Sequence, residues 1–200
     1  MWEYNETMID TFATYEDLAK HMVEGTDYRI VTKDASSPFL IIAIHGGYIE
    51  PFTSNIASSI AGEDHGLYLF EGIRENGNDQ LHIGSRYFDE PRSKNMLHNA
   101  DVVISIHGQR NEDKEFVSIG GLSGELIKKI ADHLQAVDIP VREFEACMKP
   151  ESPENICNKG ISGGGVELEI SRKLRNTLQE DAGMYRLFID AIRHAIETYR

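Results

Sequence analysis

The sequence predicts an α/β fold: one domain, residues 1–200, with a mostly parallel mixed sheet flanked by helices. Three observations predict it. Two continuous apolar runs, Phe39-Leu40-Ile41-Ile42-Ala43-Ile44 and Val102-Val103-Ile104-Ser105-Ile106, read as buried central strands. Shorter strand-like runs alternate with helical patterns along the chain. Both long runs end in Ile-His-Gly, at His45-Gly46 and His107-Gly108. Ligands of open α/β sheets bind just outside the carboxyl ends of the strands, so two imidazoles are expected at one rim.

The elements follow in order. Thr14 with Asp17 resembles a capping box and opens a short helix through about His21. Tyr28 to Thr32 reads as a strand, and Phe39 to Ile44 as a central one. Thr53 or Ser54 is expected to cap a helix to about Ala61, stopped by Gly62. Leu67 to Phe70 is a short strand, Ser93 to Asn99 a helix, and Asp101 to Ile106 the second central strand. Phe116 to Ile119 is a strand ending in Gly120-Gly121. Ser123 to Val137 is the clearest amphipathic helix, with Leu126, Ile127, Ile130 and Leu134 on one stripe. Val141 to Ala146 is a strand. Cys147 to Gly165 is a long loop, and loops of that length in compact domains are often functional. Val166 to Ile170 is the last strand, and Met184 to Tyr199 the closing helix.

Composition bounds the partners. The net charge is −13 at pH 7, which argues against nucleic acid and anionic membranes. No window approaches eighteen apolar residues, so no spanning helix is expected. The first residues, Met1-Trp2-Glu3-Tyr4-Asn5-Glu6, lack a basic and then an apolar region, so synthesis in the cytoplasm without a signal peptide is expected. Cys147 and Cys157 form no disulfide framework and read as two cytosolic thiols.

The chemistry concentrates at the strand ends. In His45-Gly46-Gly47-Tyr48-Ile49-Glu50 a histidine and a glutamate lie five positions apart across a glycine turn, a spacing that lets the carboxylate fold back beside the imidazole. His107 arrives from the other strand. Two histidines and one glutamate form a catalytic zinc set with a fourth position open. In Val166-Glu167-Leu168-Glu169-Ile170 strand alternation puts both glutamates on one face. Acidic groups in an apolar strand are costly unless paired or bound, so one is a candidate general base. A single histidine after a strand is more often an ordinary partly buried imidazole; the repeated context shifts that balance. Other signatures fail. Gly121-Leu122-Ser123-Gly124 misplaces the second glycine of a nucleophile elbow, Gly163-Gly164-Gly165 precedes a strand instead of opening a helix, and nothing local activates Cys147 as a thiol partner for His107.

The segment from His45 through Ala57 resembles the opening motif of the poly-γ-glutamate hydrolases of Bacillus and its phages. The resemblance continues in Leu81-His82-Ile83-Gly84-Ser85-Arg86-Tyr87-Phe88-Asp89-Glu90-Pro91, in Ser105-Ile106-His107-Gly108, in Gly120-Gly121, in Asn155-Ile156-Cys157-Asn158 and in Gly165 to Ser171. It spans about residues 39 to 175. It implies a metallocarboxypeptidase-like fold, one zinc ion held by His45, Glu50 and His107, and Glu169 as the catalytic glutamate. Three departures stand out: Glu167 where glutamine is usual, Phe52 where glycine is common, and a His–Glu spacing longer than that of the carboxypeptidases.

The implied substrate is a polyanion, poly-γ-glutamate, so cations must dominate the cleft of an acidic chain. Arg86, Arg110, Arg172 and Arg175 flank the rim segments and suit carboxylate recognition; Ser85, His82 and Glu167 complete the expected substrate-binding set. Arg110 is expected to help stabilise the oxyanion. A monomer is expected, reaching its polymer on release by host lysis. The alternatives are a zinc amidase acting on N-acyl-glutamate or cell-wall peptides, a non-catalytic binding module, and a cysteine hydrolase.

Overall fold

A computed structural model describes residues 10–144 and 149–199. Seven strands form one sheet in the order β1-β3-β2-β4-β7-β5-β6. The centre is parallel: β3 (Gly66–Gly72), β2 (Phe39–Gly47), β4 (Val102–Gln109) and β7 (Val166–Ser171). Two antiparallel pairings make the sheet mixed, β1 (Tyr28–Lys33) on β3 and β5 (Val117–Gly121) on β7, and β6 (Val141–Glu143) lies parallel to β5. The expected end of that last strand at Ala146 lies outside the described residues, as does Cys147.

Each face of the sheet carries its own core. Ile41, Ala43, Ile104, Ile106, Val166, Leu168 and Ile170 face one side. There they meet α2 (Thr53–Ala61), α4 (Gly124–Ala136), α5 (Arg172–Glu180) and α6 (Ala182–Glu197). Leu40, Ile42, Ile44 and Val103 face the other, against α1 (Tyr15–Ala19), α3 (Pro91–Leu97) and the segment holding Leu81, Ile83 and Phe88. Period-2 alternation explains the division. Fully burying one such aliphatic side chain contributes about 1.5–3 kcal/mol, so both faces anchor the sheet.

Several element ends differ from expectation for identifiable reasons. Thr14 does cap α1, its hydroxyl accepting from Asp17 N at 3.2 Å. Neither Thr53 nor Ser54 caps α2. The N-cap is Phe52, in the left-handed region at φ 79° with no side-chain cap. The two hydroxyls bind the preceding turn instead: Thr53 donates to Glu50 O at 2.8 Å and Ser54 accepts from Gly47 N at 3.0 Å. Helix α3 starts two residues earlier than expected, at Pro91, because the Glu90 carboxylate accepts from Ser93 N. Helix α5 was not anticipated. Ser171 ends β7 and at once caps α5, accepting from Leu174 N at 3.2 Å.

Candidate metal centre

The register of β4 and β7 sets Ser105 opposite Glu167 and His107 opposite Glu169. All four project to the face that carries Val103, away from the helices packed on Ile104 and Ile106. Alternation alone would put His45 on the helix-packed face with Ala43. A β-bulge prevents it: Ala43 pairs with Leu69 and Gly46 with Glu71, three steps on β2 against two on β3. Ile44 and His45 therefore share a face, and His45 joins His107.

The turn after β2 then returns Glu50. Glu50 N donates to His45 O at 2.9 Å and Tyr48 N to Gly72 O at 3.0 Å. Gly47 takes φ +63°, and a Cβ there would lie 2.3 Å from Gly72 O, so this position needs glycine. One carboxylate oxygen of Glu50 sits 3.0 Å from His45 Nδ1, and the other accepts from Gly108 N at 2.7 Å.

Three donor groups converge. His45 Nε2 lies 2.9 Å from Ile83 O; a carbonyl only accepts, so Nε2 carries the proton and Nδ1 is bare. His107 Nδ1 lies 3.1 Å from His45 Nδ1 and 3.7 Å from Glu50 Oε2. Its Nε2 is engaged by Ser105 Oγ at 2.8 Å and Ser85 Oγ at 3.4 Å. Donors on a tetrahedral cation with bonds of about 2.0–2.1 Å stand about 3.3 Å apart. His45 Nδ1 stands near that separation from Glu50 Oε1, at 3.0 Å, and from His107 Nδ1, at 3.1 Å, while the 3.7 Å contact to His107 comes from the other carboxylate oxygen, Oε2, which also accepts from Gly108 N. The donor set fits a small divalent cation.

Burial dominates the electrostatics. It pushes His45 down to about 4 and His107 to about 3, so both rings are neutral ligands at neutral pH. It raises Glu50, with His107, His82 and Gly108 N–H acting against it. Glu167 is pushed up to about 7 by burial, although Asn155 and Ser85 hold its carboxylate. Glu169 is held well above the usual range by burial and then by Glu50 and Glu167, with Arg175 opposing.

The expected substrate-binding set divides. Arg86 is exposed and makes no ion pair with any described residue, and Arg172 is half-buried. Arg110 is exposed. Arg175 departs from expectation. It is 3% exposed, and its guanidinium donates to Ile170 O, Pro51 O and Gln109 O at 3.1, 2.5 and 3.2 Å. The unanticipated helix α5 carries it beneath the site, where it ties the segment after Glu50 to the strand end after His107. Glu167 and Ser85 stand behind His107 rather than on the rim: Glu167 accepts from Asn155 Nδ2 at 3.0 Å and lies 3.8 Å from His107 Nε2. His82 stacks on His45 at 3.9 Å between ring centroids. His45, Glu50 and His82 each bring a ligand atom within 4.8 Å of the others.

Sequence reasoning missed Asp10, Ser105 and Asn155. Ser105 was legible as the residue two before His107, sharing its face. The long loop, expected to be functional, reaches the residues behind His107. Asn155 reaches Glu167 from it, and Asn158 pins it by donating to Pro150 O and Ser152 O and accepting from Leu122 N and Gly165 N. Cys157 is buried, and burial raises its thiol far above the usual range, against a thiol nucleophile there.

A model of the poly-γ-glutamate hydrolase family matches residues 12–189. The chain belongs to that family. YndL of Bacillus subtilis (strain 168) is 37% identical over 171 residues, covering 84% of this chain and 67% of YndL. YoqZ, derived from the SPbeta prophage of the same strain, is 34% identical over 171 residues, covering 84% of this chain but 61% of its own length. Among solved structures, a bacteriophage poly-γ-glutamate hydrolase superposes with a TM-score of 0.91 at 29% identity, over 95% of this chain and 98% of that one. A zinc-free form of YndL gives 0.83 at 31% identity, over 94% and 98%. The N-formylglutamate amidohydrolase of Ralstonia eutropha JMP134, at 0.51 and 9% identity, shares the fold alone.

Proposed function

We propose that this family member is a zinc-dependent hydrolase that cleaves γ-glutamyl amide bonds of poly-γ-glutamate, with His45, Glu50 and His107 holding one zinc ion. The observation that carries the reading is the meeting of two imidazole Nδ1 atoms, 3.1 Å apart, with the Glu50 carboxylate, whose Oε1 lies 3.0 Å from His45 and whose Oε2 lies 3.7 Å from His107. The zinc-free description of the solved YndL and the activity named for the phage relative support the metal and the substrate. When bound, zinc polarises an amide carbonyl and acidifies water.

The protein groups do the rest. Glu169, opposite His107 in the register, takes the proton of the attacking water on its carboxylate and returns it to the departing amine nitrogen. Arg86 and Arg172, on the rim, meet substrate carboxylates and offset the −13 charge of the chain locally. Arg110 supports the oxyanion.

The test is metal content together with product sizing on poly-γ-glutamate. We expect one zinc per chain and a falling polymer size, abolished by chelator and resistant to thiol blockers. Glu169→Gln should retain zinc and lose at least about 100-fold in turnover. Full activity in that variant would remove Glu169 from the reaction, and absence of stoichiometric zinc would remove the whole reading.

A further inference from the structure

The pair Asp10–His82 is absorbed by none of the roles above, and Asp10 lies ahead of the residues 12–189 that define the family match. The pair spans 72 positions, yet His82 Nδ1 lies 2.6 Å from Asp10 Oδ1, while Asp10 Oδ2 accepts from Gly84 N at 2.9 Å. Both carboxylate oxygens are thus committed to the His82–Gly84 segment. A carboxylate only accepts, so Nδ1 carries the ring proton and Nε2 keeps a bare lone pair.

His82 stacks on His45 with centroids 3.9 Å apart and planes at 28°. Ring-nitrogen lone pairs lie in the ring plane. Two near-parallel rings one ring thickness apart aim them along near-parallel lines, whereas two ligands of one cation at about 2.0–2.1 Å must converge on it. His82 is therefore a neighbour of the donor set and not a member of it, although a nitrogen of its ring lies within 4.8 Å of ligand atoms of His45 and Glu50. Its side chain is 17% exposed, so the ring beside the donor set is not sealed from solvent.

We propose that His82 is a hydrogen-bond acceptor for the attacking water and that Asp10 is the positioning residue that fixes its tautomer. The inference rests on the zinc-hydrolase reading. His82 Nε2 accepts one O–H of the water without taking its proton, which goes to Glu169, and so turns the oxygen lone pair toward the carbonyl carbon. Asp10 acts through His82: without it the ring is free to rotate and to protonate at Nε2, which makes it a donor where an acceptor is needed.

The experiment has three arms. Nitrogen-15 NMR of the metal-free protein should show His82 protonated at Nδ1, and Asp10→Ala should shift it towards Nε2–H. Zinc affinity, by competition with a chromophoric chelator, should stay within about threefold in Asp10→Ala and in His82→Phe, which keeps the ring stack. In both, kcat on poly-γ-glutamate should fall about 10–100-fold at little-changed KM, the range typical of groups behind a metal centre. The double variant should be no slower than His82→Phe alone. Because Asp10 also holds Gly84, Asp10→Asn is the second variant: its one acceptor oxygen must choose between His82 Nδ1–H and Gly84 N–H, so kcat should follow the Nδ1–H population that NMR reads, and a variant that keeps Nδ1–H but loses kcat would overturn the assignment. A wild-type His82 protonated at Nε2, a zinc affinity lowered more than tenfold in His82→Phe, or a rise in KM alone would each overturn the assignment. Loss of zinc binding or of polymer cleavage in the wild type would instead overturn the zinc-hydrolase reading, while the tautomer in the metal-free protein still judges the Asp10–His82 pairing.

Discussion

Replacing Arg175 by methionine separates two accounts of how this centre is built. The guanidinium is 3% exposed and donates to three main-chain carbonyls, Ile170, Pro51 and Gln109. Methionine keeps part of the stem and removes every donor. Each buried carbonyl left without its partner costs about 1–3 kcal/mol, and bonds from a charged group lie at the upper end. Water entry and main-chain relaxation recover part of a threefold loss, so we expect a destabilisation of about 3–5 kcal/mol. The variant also removes the positive charge that offsets Glu50 and Glu169, so their repulsion grows. Arg175→Lys keeps the charge but not the fork and should recover no more than about half. Urea denaturation, with the midpoint shifting at constant m, reads the loss directly. A loss under about 1 kcal/mol in Arg175→Met, accompanied by a raised KM, would refute the structural account and return Arg175 to the substrate cleft.

Two further predictions concern the turn beside the site and the opposite rim of the sheet. Gly47→Ala forces a Cβ to within 2.3 Å of Gly72 O at a positive φ; it should cost about 2 kcal/mol or more and displace Glu50, read as a lower melting temperature with weakened metal binding. His65 is buried, and burial lowers its proton affinity in the folded chain, with its Nδ1 2.7 Å from Ser37 Oγ. The unfolded chain therefore takes the proton first, near pH 6.5, so this contribution is full above that value and is lost as pH falls towards the folded value. Between pH 7 and 5 the wild type should lose more stability than His65→Asn, and equal losses in urea melts would sink the assignment.

The central strands and three of the converging groups were legible because their signals are local. Continuous apolar runs mark β2 and β4, period-2 alternation marks β7, and His45 and Glu50 share one turn. Helix α5 was not legible: it follows β7 without a turn, Ser171 serves both elements, and its buried apolar face is only Leu174 and Leu178. Missing it left Arg175 looking like a rim cation. The bulge at Ala43–Gly46 was hidden because counting alternation along β2 assigns His45 to the wrong face. Asp10 was unreadable, and Asn155, though part of a motif of the resemblance, had no readable partner, for a different reason. Each meets its partner only through the tertiary fold, across 72 positions for His82 and across a loop for Glu167.

The donors differ sharply in how far apart they lie along the chain. His45 and Glu50 are separated by five positions, whereas His45 and His107 are separated by 62. An unfolded chain retains the first pair at little entropic cost and lacks the third donor, since closing the longer loop is what folding accomplishes. A cation held as proposed would bind both states, weakly through the local pair and tightly only when β4 delivers His107. Its stabilising effect then depends on the ratio of those two affinities, not on the tighter one alone. Zinc added during refolding would engage the turn after β2 before the sheet closes, and the metal would report on the docking of the two central strands as a late gain in affinity.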